Sequence, residues 1–502
     1  MSLLDEVVGL ISPGWKAARL RSRLQVRAYE AALPSRTHRA KRENRSANQL
    51  TDLAGRSLRE QARWLDNNHD LVIGILDKLE ERIVGARGIS VEPHPLTKTG
   101  ELHADFARQI QTAWAAWSVS PDVTGQFTRP VLERLMARSW LRDGEVFGQL
   151  VSGAVAGLVP VEGIPFWIEA LEADYVPLSA TDQGSSLQQG IYLNDWGRAV
   201  KYQVYKHRPV QGITPGDTKE VSAASMLHLK FMRRLHQVRG HSLLSGVIIR
   251  LAALGEYENS ELTAARIAAS LGLYIKKGDP ATYNASDADD NREIDFQPGM
   301  IWDGLEAGED IDTIKSDRPN PNLESFRNGQ LRAVSAGTRG SFSSIARNYD
   351  GTYSAQRQEL VEAYEGYSIL QDAFIAAVSR PVYRAWLAAA IAAGVLKPPA
   401  DLDRHSLYNA VFRGPVMPWI DPLKEANSWR VLIRGGAATE SDWVQARGAS
   451  PNEVKRRRKA EIDENHELGL VFDTDPANDK GVASVETTKP DEPPAKSERK
   501  KQ

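Results

Sequence analysis

The residues that could support catalysis are few and scattered in this sequence. The phosphate-binding pattern G-x-x-x-x-G-K-[ST] is absent, and so is the H-E-x-x-H pair of zinc proteases. The segment 240–244 (GHSLL) matches a serine nucleophile elbow over two residues only, because Leu244 stands where G-x-S-x-G has its second glycine. These observations argue against a packaging-type ATPase and against a serine hydrolase.

Four other clusters carry metal-ligating or charged groups: His228 with His236, Asp310 with Asp312, Asp401 with Asp403, and the basic run 455–459. A metal-dependent nuclease needs carboxylates that converge from several elements, so structural, turn and capping roles are favoured for the first three. Acidic residues flank the basic run within one predicted helix, which favours a solvated, salt-bridged face over a nucleic-acid contact. We therefore expect no catalytic residue, no metal ligand and no cofactor.

Composition points to a globular protein with no strong overall attraction to DNA. The 502 residues include 63 Lys and Arg against 65 Asp and Glu, a formal net charge of −2, whereas a protein that holds duplex DNA tightly normally has a basic excess. There are no cysteines, which excludes disulfides and thiolate metal sites. No apolar run approaches the roughly 18 residues of a membrane span, and no signal peptide is recognised, so neither secretion nor membrane insertion is expected.

The first half of the chain predicts a mixed α/β domain. Between Lys16 and Arg63 basic residues outnumber acidic ones, which is compatible with binding to an acidic surface or nucleic acid, or with a solvated flexible arm. Apolar residues up to Ile83 then recur at helical spacing and predict a helix that starts near Arg59. A helix running into a strand is predicted over 127–150, and short strands over 166–171, 190–193 and 199–205.

The second half predicts long helices separated by loops. His241 and Ser242 could start and cap an alanine-rich helix through Ser270, roughly 40 Å long at about 1.5 Å per residue, against which neighbouring helices could pack closely. A small β-rich segment follows, with strands at 271–276 and 299–302, and then a second helix over 323–336.

The remaining segments are a Gly/Ser-rich loop at 337–353 and a long amphipathic helix from Ser354. Pro381 must kink or break that helix, because proline lacks the amide donor. A charged helical hairpin is predicted for 439–470, and the Pro/Lys/Asp/Glu-rich tail at 476–502 has too little apolar mass to fold.

Two segments of this sequence resemble the lambda family of phage portal proteins. They are 318–337, which contains RPNPNLESF and LRAVSAG, and 344–358, SIARNYDGTYSAQRQ. Shorter agreement lies at 239–244 (RGHSLL), 299–302 (GMIW), 380–383 (RPVY) and 419–426 (WIDPLKEA). The resemblance extends from about Tyr29 to Leu470.

The resemblance implies an α+β portal fold and a place for each part of the chain in it. The expected parts are an N-terminal basic arm (1–24), a mixed α/β wing (25–240), a stem helix (241–270), a β-rich clip (271–317), a second stem helix (318–336), a tunnel loop (337–353), a long kinked helix with the wing return (354–435), a helical crown (439–470) and a disordered tail (476–502).

The resemblance also implies a function and partners. The chain would be one subunit of a ring, by family a dodecamer, at one capsid vertex of the virion, assembled in the host cytoplasm. Double-stranded DNA would pass through the ring during packaging and ejection, in transient contacts without sequence preference. The terminase large subunit, a head-completion protein, and capsid and scaffold proteins would be its partners.

Particular residues follow from this placement as hypotheses. Arg339 and Arg347, with Tyr349 nearby, would contact DNA phosphates, or else the two arginines would bridge subunits through carboxylates such as Asp350. The remaining candidates are the loop hinges Gly337, Gly340 and Gly351, the terminase or connector contacts Lys276 and Lys277 (alternatively solvated ends), and the subunit-packing residues Ala264 and Ala268.

Two other classes of protein remain as alternatives. A packaging ATPase or nuclease is disfavoured by the missing phosphate-binding loop. A monomeric nucleic-acid-binding adaptor would differ from a ring in its native mass.

Overall fold

The computed structural model of the chain describes residues 42–207, 209, 216–269, 273–277, 309–313, 322–417 and 421–472, with positions 14 and 18. The predicted strand 299–302, the predicted tail and, apart from those two positions, the predicted N-terminal arm lie outside the described residues. Helices and short antiparallel sheets alternate in the described part, as expected for an α+β protein.

The first part of the chain consists, in order, of α1 (Ala47–Asn68), α2 (Asp70–Ile83), β1 (Ser90–Pro93), α3 (Ala104–Trp117), α4 (Arg129–Asp143), β2 (Glu145–Ser152), β3 (Phe166–Leu171), β4 (Leu187–Gln188), β5 (Ile191–Leu193), β6 (Ala199–Tyr205), β7 (Thr218–Ser222) and β8 (Met226–Lys230). The predicted strands at 166–171, 190–193 and 199–205 and the helix–strand unit at 127–150 are confirmed.

The helix predicted to start near Arg59 differs from the structure. Helix α1 begins at Ala47, where Ser46 and Gln49 form a capping box. It ends before His69, whose extended backbone separates it from α2. Two asparagines before the break favour helix less than most residues do, and Asp70 suits a helix N-terminus, which explains the division.

The second part consists, in order, of α5 (Ile248–Ala269), β9 (Leu273–Lys277), β10 (Glu309–Thr313), α6 (Leu323–Thr338), α7 (Phe342–Ala346), α8 (Tyr353–Phe374), α9 (Arg380–Ala392), β11 (Ala410–Arg413), α10 (Pro422–Arg434), α11 (Glu440–Ala446) and α12 (Pro451–Glu467). Ser242 caps a 3₁₀ turn, Leu243–Gly246, so the predicted stem helix begins at Ile248 and not at position 241. The predicted hairpin at 439–470 corresponds to α11 and α12.

All of the described strand pairs are antiparallel. Strands β3, β2 and β8 form one sheet with β2 in the centre, and β4 to β7 form a second sheet in sequence order. Along β2, Val146 packs into the main hydrophobic core while Phe147 packs into a smaller core that reaches the second sheet. This alternation is the period of two expected for a strand between two layers.

An aromatic cluster in the main core joins segments that are far apart in the sequence. Trp114 on α3 lies with its ring centroid 4.9 Å from that of Trp386 and 5.6 Å from that of Tyr383, both on α9. Trp117 contacts Phe166 on β3 at 5.6 Å. Each of these side chains is buried, and burial of a large apolar side chain contributes about 1.5–3 kcal/mol. Helix α9 is therefore part of the main hydrophobic core.

The long helix is interrupted just before Pro381, as predicted. A π-helical turn, Ile375–Ser379, separates α8 from α9, and Pro381 lies in the first turn of α9. Proline has no N–H for the preceding turn and its ring crowds the carbonyl four residues earlier, and the wider π turn accommodates both effects.

Helices α5 and α6 form an antiparallel pair. Arg327 Nε donates to Glu258 Oε1 at 2.6 Å, and the rings of Tyr257 and Phe326 lie 4.8 Å apart. The buried apolar residues of α5 are in its first two turns, whereas Leu262 further along is half exposed.

Candidate functional site

The candidate tunnel loop is shorter than predicted and contains a helix. Helix α6 continues through Thr338 and ends on Arg339, which has a left-handed backbone (φ 59°). The short helix α7 ends in the same way on Arg347 (φ 52°). The loop therefore begins at Arg339 and not at residue 337, and two non-glycine residues with positive φ turn the chain.

The three predicted DNA contacts are accessible in this loop. Arg339, Arg347 and Tyr349 are exposed. Among the residues that the structure describes, neither arginine forms an ion pair with a carboxylate, and Asp350 is also exposed. Both guanidinium groups are thus available to an external anion, whether a phosphate or a carboxylate of another chain.

The half-buried carboxylate of Glu359 on α8 connects that helix to the start of the loop. Ser341 Oγ donates to Glu359 Oε1 at 2.8 Å, Ser343 N donates to the same oxygen at 2.9 Å, and the Ser343 hydroxyl donates to Oε2. Burial alone would raise the pKa of Glu359, but these hydrogen bonds lower it. The start of the loop is consequently anchored, and the segment 347–352 is its more exposed part.

The three predicted hinge glycines occupy different surroundings. Gly337 lies inside α6, where an added Cβ would be 2.5 Å from Val247 Cγ1, so its small size permits a close contact. A Cβ at Gly340 would be 2.4 Å from Ile345 Cδ1. Only Gly351 lies on an open, exposed stretch. The position of Gly337 does not favour a hinge, because the residue lies inside a helix.

The other predicted contacts lie on α5 and on the β9–β10 pair. Ala264 is half-buried on α5, and Ala268 belongs to the last turn of the same helix. The register of the two strands places Lys276 opposite Asp310 and Lys277 opposite Glu309. Each of the two lysine positions is therefore paired with an acidic position on the other strand.

A buried ionic cluster around β2 was not found by sequence reasoning. Glu145 is fully buried at the start of β2. It accepts hydrogen bonds from Arg239 Nε (2.9 Å), Arg59 Nη2 (3.1 Å), Gly240 N (3.0 Å) and His228 Nε2 (3.2 Å). Burial on its own would raise the pKa of the Glu145 carboxyl, but the charge of Arg239 and the hydrogen bonds hold that pKa well below its usual range.

Arg239 is the centre of the same cluster and is itself fully buried. Its guanidinium donates to the carbonyls of Ala173, Val176 and Gln189 at 2.7–3.1 Å and lies 5.2 Å from the ring centroid of Phe147. One side chain thus satisfies carbonyls from two loops and a carboxylate from a strand. Because both Glu145 and Arg239 are inaccessible to solvent, we interpret the cluster as structural.

Three of the residues considered for catalysis, His228, Ser242 and Asp403, have structural partners. Burial lowers the pKa of His228 to about 4, so the imidazole is neutral at pH 7 and can donate to Glu145. Ser242 is buried and its Oγ accepts from Leu244 N at 3.1 Å, and Asp403 accepts from His405 N at 3.0 Å. Across the described residues there is no cluster of three or more His, Cys, Asp or Glu side chains that could hold a metal ion. No helix within those ranges is both long and apolar enough to cross a membrane.

Comparison with known proteins identifies the family. The family model described as "Phage portal protein, lambda family" matches residues 34–371, which is more than half of the chain. A "Probable portal protein" of Halomonas phage phiHAP-1 is 23% identical over 437 residues, covering 82% of this chain and 81% of that protein.

Solved structures of gene transfer agent particles are also similar. A chain of "Virion of native gene transfer agent (GTA) particle" is 13% identical with a TM-score of 0.44, and a chain of "Neck of empty GTA particle computed with C6 symmetry" is 12% identical with a TM-score of 0.45. Each match covers 79% of this chain and 94% of the other. On the evidence of the family model, the chain belongs to the lambda family of phage portal proteins, whose members are structural and not enzymatic.

Proposed function

We propose that this chain is one subunit of a ring at a capsid vertex, through which double-stranded DNA is packaged and ejected. Family membership supports this proposal, and the observation that carries it is the uncovered apolar surface of the α5–α6 pair. Ile249 is 85% exposed, Leu262 50% and Phe326 45%, whereas Leu251 and Leu254 on another side of α5 are buried by the chain itself. A helix with apolar residues on several sides needs neighbours beyond its own chain.

Other copies of the chain are the proposed neighbours. Contacts between different faces of successive copies close into a ring when the rotation between them is a whole fraction of a turn. Ala264 and Ala268, separated by one helical turn, give α5 a small-residue strip against which a neighbouring helix could pack closely. Twelve copies, as the family resemblance implies, is the proposed number.

Native mass spectrometry and negative-stain imaging of the full chain test the ring. We expect a closed ring for the wild type and a shift towards monomers or open assemblies for Ala264→Trp, because an indole does not fit where a methyl group packs. Ala392→Trp, at an exposed position on α9, is the matched control and should leave the ring unchanged. A monomeric wild type would contradict the proposal and favour the adaptor alternative.

Arg339 and Arg347 are proposed to make sparse, transient phosphate contacts inside the ring. Each neutralised phosphate adds affinity by counterion release, so many identical contacts in a ring would hold DNA too tightly for translocation. A chain of nearly zero net charge that offers only two exposed arginines in this loop would bind DNA weakly enough for translocation. Binding of the terminase large subunit, a head-completion protein, and capsid and scaffold proteins is proposed from the family, with Lys276 and Lys277 as candidate contacts.

Replacement of both loop arginines distinguishes DNA contact from subunit bridging. Arg339→Ala/Arg347→Ala should impair DNA packaging or retention in a packaging assay while rings still form, and the matching double lysine variant should retain most activity because it keeps the charge. If the arginines bridge subunits through Asp350, then Asp350→Asn should weaken the ring as well. Normal packaging by the double alanine variant would rule out the phosphate role.

A further inference from the structure

A basic pocket lies between α9, β11 and the loop after β1, remote in sequence from the candidate tunnel loop. It has a volume of about 330 Å³ and is lined by the side chains of Arg380, Arg384, His94 and His405, together with Tyr408. No acidic side chain lines it. Two guanidinium groups and two imidazoles therefore surround one opening.

The two arginines are held in place by aromatic rings. The Arg380 guanidinium lies 5.2 Å from the ring centroid of Phe412, and that of Arg384 lies 5.2 Å from the ring centroid of Tyr408. Contact with a ring face leaves the edge N–H groups of a guanidinium free to donate. Because the two residues are four positions apart on α9, their side chains are neighbours and can reach one ligand.

Three carboxylates on neighbouring segments have partners other than the two arginines. Asp401 lies 3.5 Å from His103 Nε2, and Asp403 accepts from the His405 backbone. On the adjacent strand pair, Arg413 Nη1 is 2.8 Å from Glu92 Oε2. Within the part of the chain that the structure describes, neither Arg380 nor Arg384 has an ion pair or a hydrogen bond, so their charges are uncompensated.

We propose that this pocket binds a phosphate group. A phosphate dianion balances the charge of two guanidinium groups, which a single carboxylate does not. The planar guanidinium group also suits bidentate contact with phosphate oxygens. The imidazoles of His94 and His405 provide further donors at the rim. The group could be a free phosphate ion or the terminal phosphate of a nucleic-acid strand, since both present the same chemistry.

Isothermal titration calorimetry of the purified full chain with inorganic phosphate, at constant ionic strength in chloride buffer, tests the proposal. Affinity should fall about tenfold for each arginine replaced in Arg380→Gln and Arg384→Gln, and further in the double variant. Arg434→Gln, an exposed arginine on α10, should bind as the wild type does. The double lysine variant keeps the charge over the aromatic rings but not the fork, so it should fold and bind with intermediate affinity.

Equal affinity in the wild type and the double glutamine variant, or no binding by the wild type, would overturn the phosphate site. Fluorescence anisotropy with a short duplex, with and without a 5′-phosphate, then identifies the source. A preference for the phosphorylated duplex that the double glutamine variant loses assigns a strand end, and equal binding of the two duplexes assigns the free ion.

Discussion

Replacement of Arg239 by leucine should lower the free energy of unfolding by about 3–5 kcal/mol, because it leaves a charged and buried Glu145 without its main partner. Arg239 Nη2 is 2.7 Å from Glu145 Oε1, and both side chains are fully buried. The three backbone carbonyls that Arg239 satisfies would also lose their donor. Urea unfolding followed by circular dichroism measures the loss.

An exposed ion pair on α1 provides the matched control. Arg56 Nε lies 2.9 Å from Glu60 Oε1, but the two side chains are 80% and 56% exposed. Arg56→Leu should therefore change the unfolding free energy by less than about 1 kcal/mol. Adding Glu145→Met to Arg239→Leu should recover part of the stability, because it removes the stranded charge. If the two single arginine variants are equally stable, the buried cluster does not stabilise the packing around β2.

Gly144→Ala should destabilise the protein by more than about 3 kcal/mol, because the new methyl group would collide with main-chain atoms. Gly144 ends α4 with φ +92°, and an ideal Cβ there would be 2.1 Å from the carbonyl carbon of His241. The reverse contact is equally close, since a Cβ at Gly240 would be 2.1 Å from Gly144 O. Backbone atoms cannot rotate away as a flexible side chain can.

Gly153 separates the steric effect from the conformational one. It has the same φ, +92°, yet a Cβ there meets nothing within 4 Å. Gly153→Ala should therefore cost only the strain of a left-handed backbone, roughly 1–2 kcal/mol. Thermal unfolding of the two variants compares them directly, and similar losses at both positions would mean that the main chain at His241 yields easily.

Elements with a strong local signal could be predicted from the sequence. The strands between Phe166 and Tyr205 are short and rich in aromatic and β-branched residues, and the interruption before Pro381 follows from the backbone N–H that proline lacks. Helices α3 and α10 were missed. The second had a usable signal, because Asp421 followed by Pro422 is a typical N-cap and first helical residue, and Asp421 Oδ1 accepts from Lys424 N at 3.2 Å.

The buried ionic cluster could not be predicted, because its members are distant in the sequence. Glu145, His228 and Arg239 come from different strands and loops, and only the sheet order of β3, β2 and β8 brings them together. Arg59 lies in the basic-rich stretch 16–63 and near the start of a predicted helix, yet it is 5% exposed and binds Glu145 and Asp174. The hint in the sequence was a charged residue directly before the apolar start of a strand.

The tunnel-loop role of 337–353 stays a prediction from the resemblance, and the local structure of this segment differs from the irregular loop that its sequence favours. The sequence of 337–353 is rich in glycine and serine, which favours an irregular loop, whereas Ser341 caps the short helix α7 within it. Whether Arg339 and Arg347 face a channel depends on the arrangement of several chains, which no local pattern encodes. The alternative of a packaging ATPase or nuclease is set aside because the family is not enzymatic.

The contact of Gly337 with Val247 has a consequence for how this fold can vary. Val247 precedes α5 and Gly337 lies in the last turn of α6, so the chain leaves the main hydrophobic core and returns to it at neighbouring positions. Beside this contact, Ile248 and Leu251 on α5 and Val334 on α6 belong to the main hydrophobic core, so the start of α5 and the end of α6 are held to that core together. A side chain larger than hydrogen at position 337 would therefore push the end of α6 away from the start of α5, whereas the tryptophan cluster and the Glu145–Arg239 pair do not depend on this contact.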